Sequence, residues 1–199
     1  IALLSTNQPY ATEQMWEGRS RYDIYTVNLQ TGERQQIKKA SNSNMQLSPK
    51  GTYAYWYCAQ DSSWYTYSLA NGKEYRLTTP ATFTAWDEDN DVPDYPSPHG
   101  LAGWTADDRN LLIYDRYDIW KFDPTAEVAP VNLTVNGRKE QLSYRLIRLD
   151  KEEKFIDITK SQLLQVFNEK TKGSGYYSTH LSAPKAPKAL LAGNFMLKT

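Results

Sequence analysis

The chain writes nearly the same phrase twice: residues 21 to 25 read Arg-Tyr-Asp-Ile-Tyr and residues 116 to 120 read Arg-Tyr-Asp-Ile-Trp. Laid over itself, the sequence extends the match. Tyr22 to Leu29, then Thr31-Gly32-Glu33 and Ile37, fall on Ser62 to Leu69, Asn71-Gly72-Lys73 and Leu77 at a constant offset of 40, without a gap over sixteen positions. Tyr117-Asp118-Ile119-Trp120-Lys121-Phe122 with Leu133-Thr134 is a third copy, and Gly175 to Leu181 with Leu190 is a fourth, more divergent one. A period of this size belongs to architectures whose units hide their apolar faces only against their neighbours.

The units read as strands. Fifteen Tyr and six Trp, with few apolar stripes at helical spacing, favour extended backbone. Thr31-Gly32 and Asn71-Gly72 stand between strand-like runs and supply the positive-φ residue of a tight hairpin. Ser48-Pro49-Lys50-Gly51 punctuates the chain one strand earlier. Each unit therefore holds about four short strands, the pattern of a propeller blade, and the opening phrase is a blade's third strand. Tyr22, Ile24 and Thr26 alternate with Asp23, Tyr25 and Val27, which suits a strand buried on both faces between adjacent blades. The expectation is an all-β chain, a β-propeller fragment of about four blades of four antiparallel strands within a ring of about seven or eight. The blades fall near residues 1–40, 41–79, 101–135 and 142–194, with an acidic, Pro-rich insert over 80–100. A sandwich would also contain aromatic hairpins, but it does not require them to resemble one another.

Charge and composition exclude several functions. The 23 Lys plus Arg balance 23 Asp plus Glu, so no overall field draws the chain to nucleic acid or an anionic membrane. No run approaches the roughly 20 apolar residues of a membrane-spanning helix. The sequence opens at Ile1 inside a strand-like run, which reads as a piece of something longer. Cys58, the single cysteine, sits in Tyr55-Trp56-Tyr57-Cys58, where burial as a small apolar residue is expected.

Chemistry is sparse. There is no Gly-x-Ser-x-Gly elbow, and the two histidines, His99 in the insert and His180 in a repeat strand, give a triad little to work with. One Cys and two distant His do not make a zinc site. Asp87-x-Asp89-x-Asp91 has the spacing of a calcium loop, but Val92 replaces the turn glycine and Pro98 the closing glutamate, so a solvated acidic loop is the reading. Asp107-Asp108 and Glu152-Glu153 read as solvated turns. Asn132-Leu133-Thr134 is a glycosylation sequon only by coincidence, because Leu133 holds a repeat-defining apolar position. Lys185-Ala186-Pro187-Lys188 is too short a basic run for nucleic acid. No catalytic, cofactor-binding or metal-ligating residue is assigned, and no cofactor.

Several pieces resemble, in order, the N-terminal propeller of the bacterial prolyl oligopeptidase and dipeptidyl peptidase IV family of serine peptidases. They are Ser48 to Tyr53, Trp86 to Pro93, Gly103 to Asp108, Tyr114-Asp115-Arg116-Tyr117-Asp118-Ile119-Trp120, Val131 to Thr134, Ile147 to Asp150 and Phe167 to Lys172. The Ser-Pro-x-Gly turns are generic to many propellers; the Tyr114 to Trp120 string with the acidic insert before it is more specific. The resemblance implies a propeller that caps a C-terminal α/β-hydrolase domain and screens peptides by size. It implies a periplasmic or secreted protein. The hydrolase domain and about half of the blades are missing from this chain. No stretch matches the paired glutamates of the dipeptidyl branch, and Glu152-Glu153 stays unassigned.

The expected role is thus the non-catalytic gate and scaffold of a serine peptidase. Its partners would be the peptide substrate, the hydrolase domain, and a second copy joined through open blade faces, with no nucleic acid and no membrane span. The alternative is a stand-alone, Tol-system-like propeller holding a protein or glycan. A carbohydrate-active propeller would need converging acids in a central channel, and the sequence offers no clear set.

Overall fold

The computed structural model describes residues 1–194 as four antiparallel meanders in chain order. The first sheet holds β1 (Ala2–Thr6), β2 (Tyr22–Val27) and β3 (Arg34–Ser41); the second β4 (Gln46–Leu47), β5 (Tyr53–Cys58), β6 (Ser63–Ser68) and β7 (Glu74–Arg76). The third holds β8 (Leu101–Trp104), β9 (Leu111–Tyr114), β10 (Ile119–Phe122) and β11 (Val131–Asn132). The fourth holds β12 (Leu142–Ile147), β13 (Ser161–Asn168), β14 (Ser174–His180) and β15 (Lys188–Gly193). Two short helices, α1 (Ala11–Glu17) and α2 (Gly137–Glu140), lie in connections. Repeated meanders packed face to face in sequence make a partial β-propeller.

Alternation along β9 shows how the sheets hold together. Leu111 and Ile113 point into a cluster with Trp64, Leu77, Phe83 and Trp104, which joins the second sheet to the third. Leu112 and Tyr114 point the other way, into Ile119, Leu133, Tyr144 and Leu164, which joins the third to the fourth. Leu111, Leu112 and Ile113 are all 0% exposed, as a strand covered on both faces requires. Each such side chain contributes about 2 kcal/mol of transfer free energy.

The repeated phrase occupies β2 and β10, and its aspartate is a bracket. Asp118 accepts hydrogen bonds from the Thr134 hydroxyl (2.6 Å) and from the backbone N–H of Gly137 (2.9 Å) and Arg138 (3.1 Å), fixing the link into the fourth sheet. Thr134 in turn accepts from Ile119 N–H at 3.1 Å, and in the second sheet Thr78 accepts from Trp64 N–H at 2.8 Å in the same way. Asp23 accepts from the Tyr10 hydroxyl at 2.6 Å and Ala40 N–H at 3.0 Å. The sequon threonine is therefore a buried structural residue, and Asn132 caps its own turn by accepting from Thr134 and Val135 N–H.

Three expectations change. Among the described residues the first sheet has three strands rather than four, and by the repeat β1 corresponds to β5, β9 and β13. Of the two acids expected in a solvated turn, Asp107 is half exposed and pairs with Lys50, but Asp108 is 1% exposed. Asp108 reaches across to the second sheet, accepting from the Ser48 hydroxyl at 2.6 Å and Lys50 N–H at 3.1 Å. Cys58 is only partly buried, and its thiol faces Gln60 Oε1 at 3.4 Å.

Candidate functional site

The junction of the first two sheets differs from the others. Among the described residues the first sheet contributes one buried apolar side chain, Ile24, and no apolar cluster bridges it to the second. The four-residue linker Asn42-Ser43-Asn44-Met45 runs instead between two open clefts. One, of about 490 Å³, lies against β1 at Leu3, Leu4 and Ser5; the other, of about 430 Å³, opens toward Arg19, Tyr57, Gln60, Asp94 and Tyr95. Tyr22, Asn42, Ser43 and Asn44 line both. The Asn42 and Asn44 amides make no hydrogen bond among the described residues, so their donors and acceptors face solvent and any ligand.

Long-range ties shape the second cleft. Arg19, from the segment between β1 and β2, pairs with Asp94 of the acidic insert at 2.5 Å and lies 4.8 Å over the Tyr95 ring. The Tyr57 hydroxyl, at the end of β5, donates to the Pro96 carbonyl at 3.3 Å. Burial pushes the Tyr57 phenol above its ordinary pKa, so it stays a neutral donor. Three residues before Arg19, on α1, Met15 is 87% and Trp16 90% exposed. Side chains of that size, left in water, have the make-up of a protein-binding anchor.

The rest of the insert rests on a charged ridge of the third and fourth sheets. Arg116 forms a fork on Glu169 (2.9 and 3.0 Å) and also meets Asp89 at 2.7 Å. Tyr117 donates to the same Glu169 at 2.9 Å, with the Arg116 and Arg138 guanidiniums 5.5 and 5.2 Å from its ring centre. Arg138 grips Glu88 at 3.3 Å. Partial burial opposes ionisation of Glu169, but the hydrogen bonds from Arg116 and Tyr117 outweigh it and hold its pKa below the usual carboxylate value. Arg145 is partly buried beneath the ridge, where desolvation lowers its pKa, and donates to the carbonyls of Tyr144 (2.8 Å) and Arg116 (3.2 Å).

The sequence-predicted positions scatter. Glu88, Asp89 and Asp94 are each held by an arginine, and no group of three His, Cys, Asp or Glu side chains among the described residues is placed to hold a metal. His99 is partly buried, with Nε2 unpartnered; burial first, and Arg145 second, lower its pKa. His180 is exposed at the end of β14, and Glu152-Glu153 is exposed in the loop before β13. Sequence reasoning missed Met15 and Trp16, whose one signal was an apolar pair in a segment outside the repeat.

No family model matches the chain, and no curated protein matches it. Among solved structures it is similar to a protein designated TolB from Agrobacterium tumefaciens, at 13% identity and TM-score 0.47, over 96% of this chain and 60% of that one. It is also similar to TolB from Acinetobacter baumannii, at 14% identity and TM-score 0.35, over 85% of this chain and 40% of that one. The chain thus spans less than two thirds of either protein.

The expected membership of the prolyl oligopeptidase and dipeptidyl peptidase IV family is corrected accordingly: the structural neighbours are TolB proteins, and no peptidase match supports the gating role or its partners. The motifs behind that resemblance have a local explanation. Asp115 accepts from Tyr117 N–H at 2.8 Å, Asp118 N–H at 2.5 Å and Trp120 Nε1 at 3.2 Å, so the Tyr114 to Trp120 string is the wiring of a blade turn. Among the described residues no helix is long and apolar enough to cross a membrane.

Proposed function

We propose that the chain is a binding propeller of the Tol-system-like kind, itself non-catalytic and working in the periplasm or outside the cell, that holds a protein partner where its first two sheets meet. The observation that carries this reading is the cleft lined by tyrosines and free amides, with the exposed Met15-Trp16 pair a few residues before its Arg19 in the chain. Aromatic anchors give affinity by desolvation, and the surrounding amides and the Arg19–Asp94 pair give register and orientation. The lining carries one cation and one anion that neutralise each other, which suits a polar, uncharged partner surface rather than a polyanion.

Surface plasmon resonance against purified Tol-system proteins and against a glycan array tests it. A protein ligand is expected, with Trp16→Ala and Tyr95→Ala each weakening its binding about tenfold or more while the thermal midpoint stays put. Binding to glycans alone, binding indifferent to both substitutions, or no binding at all would overturn the reading.

A further inference from the structure

The cleft of about 430 Å³ already carries a proline-rich strand of this chain on its rim. That strand is Tyr95-Pro96-Ser97-Pro98, at the end of the acidic insert. Each proline fixes its own φ at about −65° and drives the residue ahead of it, here Tyr95 or Ser97, toward extended backbone. Backbone of this polyproline kind has no hydrogen bonds within itself, so its carbonyls look outward for donors. The Pro96 carbonyl finds one in the Tyr57 hydroxyl at 3.3 Å.

The rest of the cleft repeats that chemistry without an occupant. Its aromatic walls are Tyr22, Tyr57 and Tyr95, and two of the rings are set in advance. Tyr57 packs against buried Trp64 with ring centres 5.4 Å apart, and the Arg19 guanidinium lies 4.8 Å over Tyr95. Between the rings stand the free amides of Asn42 and Asn44, with Gln60 beside them. The Gln60 Oε1 faces the Cys58 thiol, while its amide N–H groups make no hydrogen bond among the described residues. Flat rings for pyrrolidine faces and side-chain donors for outward carbonyls are what a polyproline segment needs from a groove. Rings held before binding lose little freedom on contact. Arg19 and Asp94 neutralise each other in the lining, so the cleft favours no charge on what it holds.

We propose that this cleft takes an uncharged, proline-rich segment of the partner protein in the polyproline II conformation, its rings stacked on the tyrosines and its carbonyls accepting from Asn42, Asn44 and Gln60. This rests on the protein-binding reading for the existence of a partner and names the kind of segment that enters the cleft.

The probe is end-capped octaproline, which is uncharged and holds the polyproline II conformation by itself. A capped Gly-Ser repeat of equal length serves as the flexible control and a cello-oligosaccharide as the sugar control. Titrated into the full chain and followed by proton–nitrogen NMR, octaproline is expected to shift the side-chain amide signals of Asn42, Asn44 and Gln60 saturably, with both controls inert. Asn44→Ala and Gln60→Ala should each weaken its binding about threefold or more, the loss of one hydrogen bond. Tyr22→Leu should weaken it about tenfold; if that variant unfolds, the two amide variants decide. No shift with octaproline, an equal response to the Gly-Ser repeat, or saturation by the sugar instead would overturn the proposal. Trp16→Ala should leave octaproline binding unchanged. A protein ligand that binds while octaproline does not would end this inference alone and leave the protein-binding reading standing.

Discussion

A single aspartate explains why the phrase recurs. Asp118 is 1% exposed and satisfies three donors at once, two of them at the start of α2. Gly137 is part of the device, because a Cβ there would stand 2.6 Å from the carboxylate. Removing a buried charged acceptor strands its donors without water, so Asp118→Ala should cost about 3 kcal/mol in urea unfolding, with Asp118→Asn, which keeps one acceptor oxygen, losing about half as much. Equal losses in the two variants would count against the bracket role. The repeat made this aspartate visible in the sequence. Its partners were not, since Thr134 and Gly137 lie 16 and 19 residues away and nothing local points to them.

At the level of the element, strands were legible where the repeat printed them and connections were not. The hairpins follow from alternating aromatics and glycine turns, whereas α1 sits in a stretch with no sister to compare, and its Met15 and Trp16 had no pattern to give them away. The acidic insert was legible as a loop, but its order comes from Arg19, Arg116 and Arg138, all far from it in sequence. Gly103 shows how tightly a connection can be set. Its φ is +136°, and a Cβ would collide with the Arg148 guanidinium, which donates to the carbonyls of Ala102 (3.2 Å) and Glu153 (2.7 Å). Gly103→Ala should therefore destabilise by about 2 to 3 kcal/mol, and combining it with Arg148→Ala should recover only the steric part. Full recovery in the double variant would show that the backbone conformation itself costs an alanine nothing.

Across the whole molecule, the order of the sheets and the doubly buried β9 were readable from periodicity, while the site was not, because it arises where the periodic packing fails. Leu190 and Leu191 on β15 and Phe167 on β13 are exposed. The third sheet is clasped on both sides by apolar clusters, but the first rests on the rest of the chain through a polar linker, the Arg19–Asp94 and Lys38–Glu74 ion pairs and two open clefts. Cooperativity in stacked architectures passes only between neighbours, and it weakens at the poorest junction. Native-state hydrogen exchange should grade accordingly, with β2 amides exchanging about a hundredfold faster than those of β9 and β13; uniform protection would contradict it. The first sheet would then behave as a door on the Asn42–Met45 linker, ajar for a small fraction of the time.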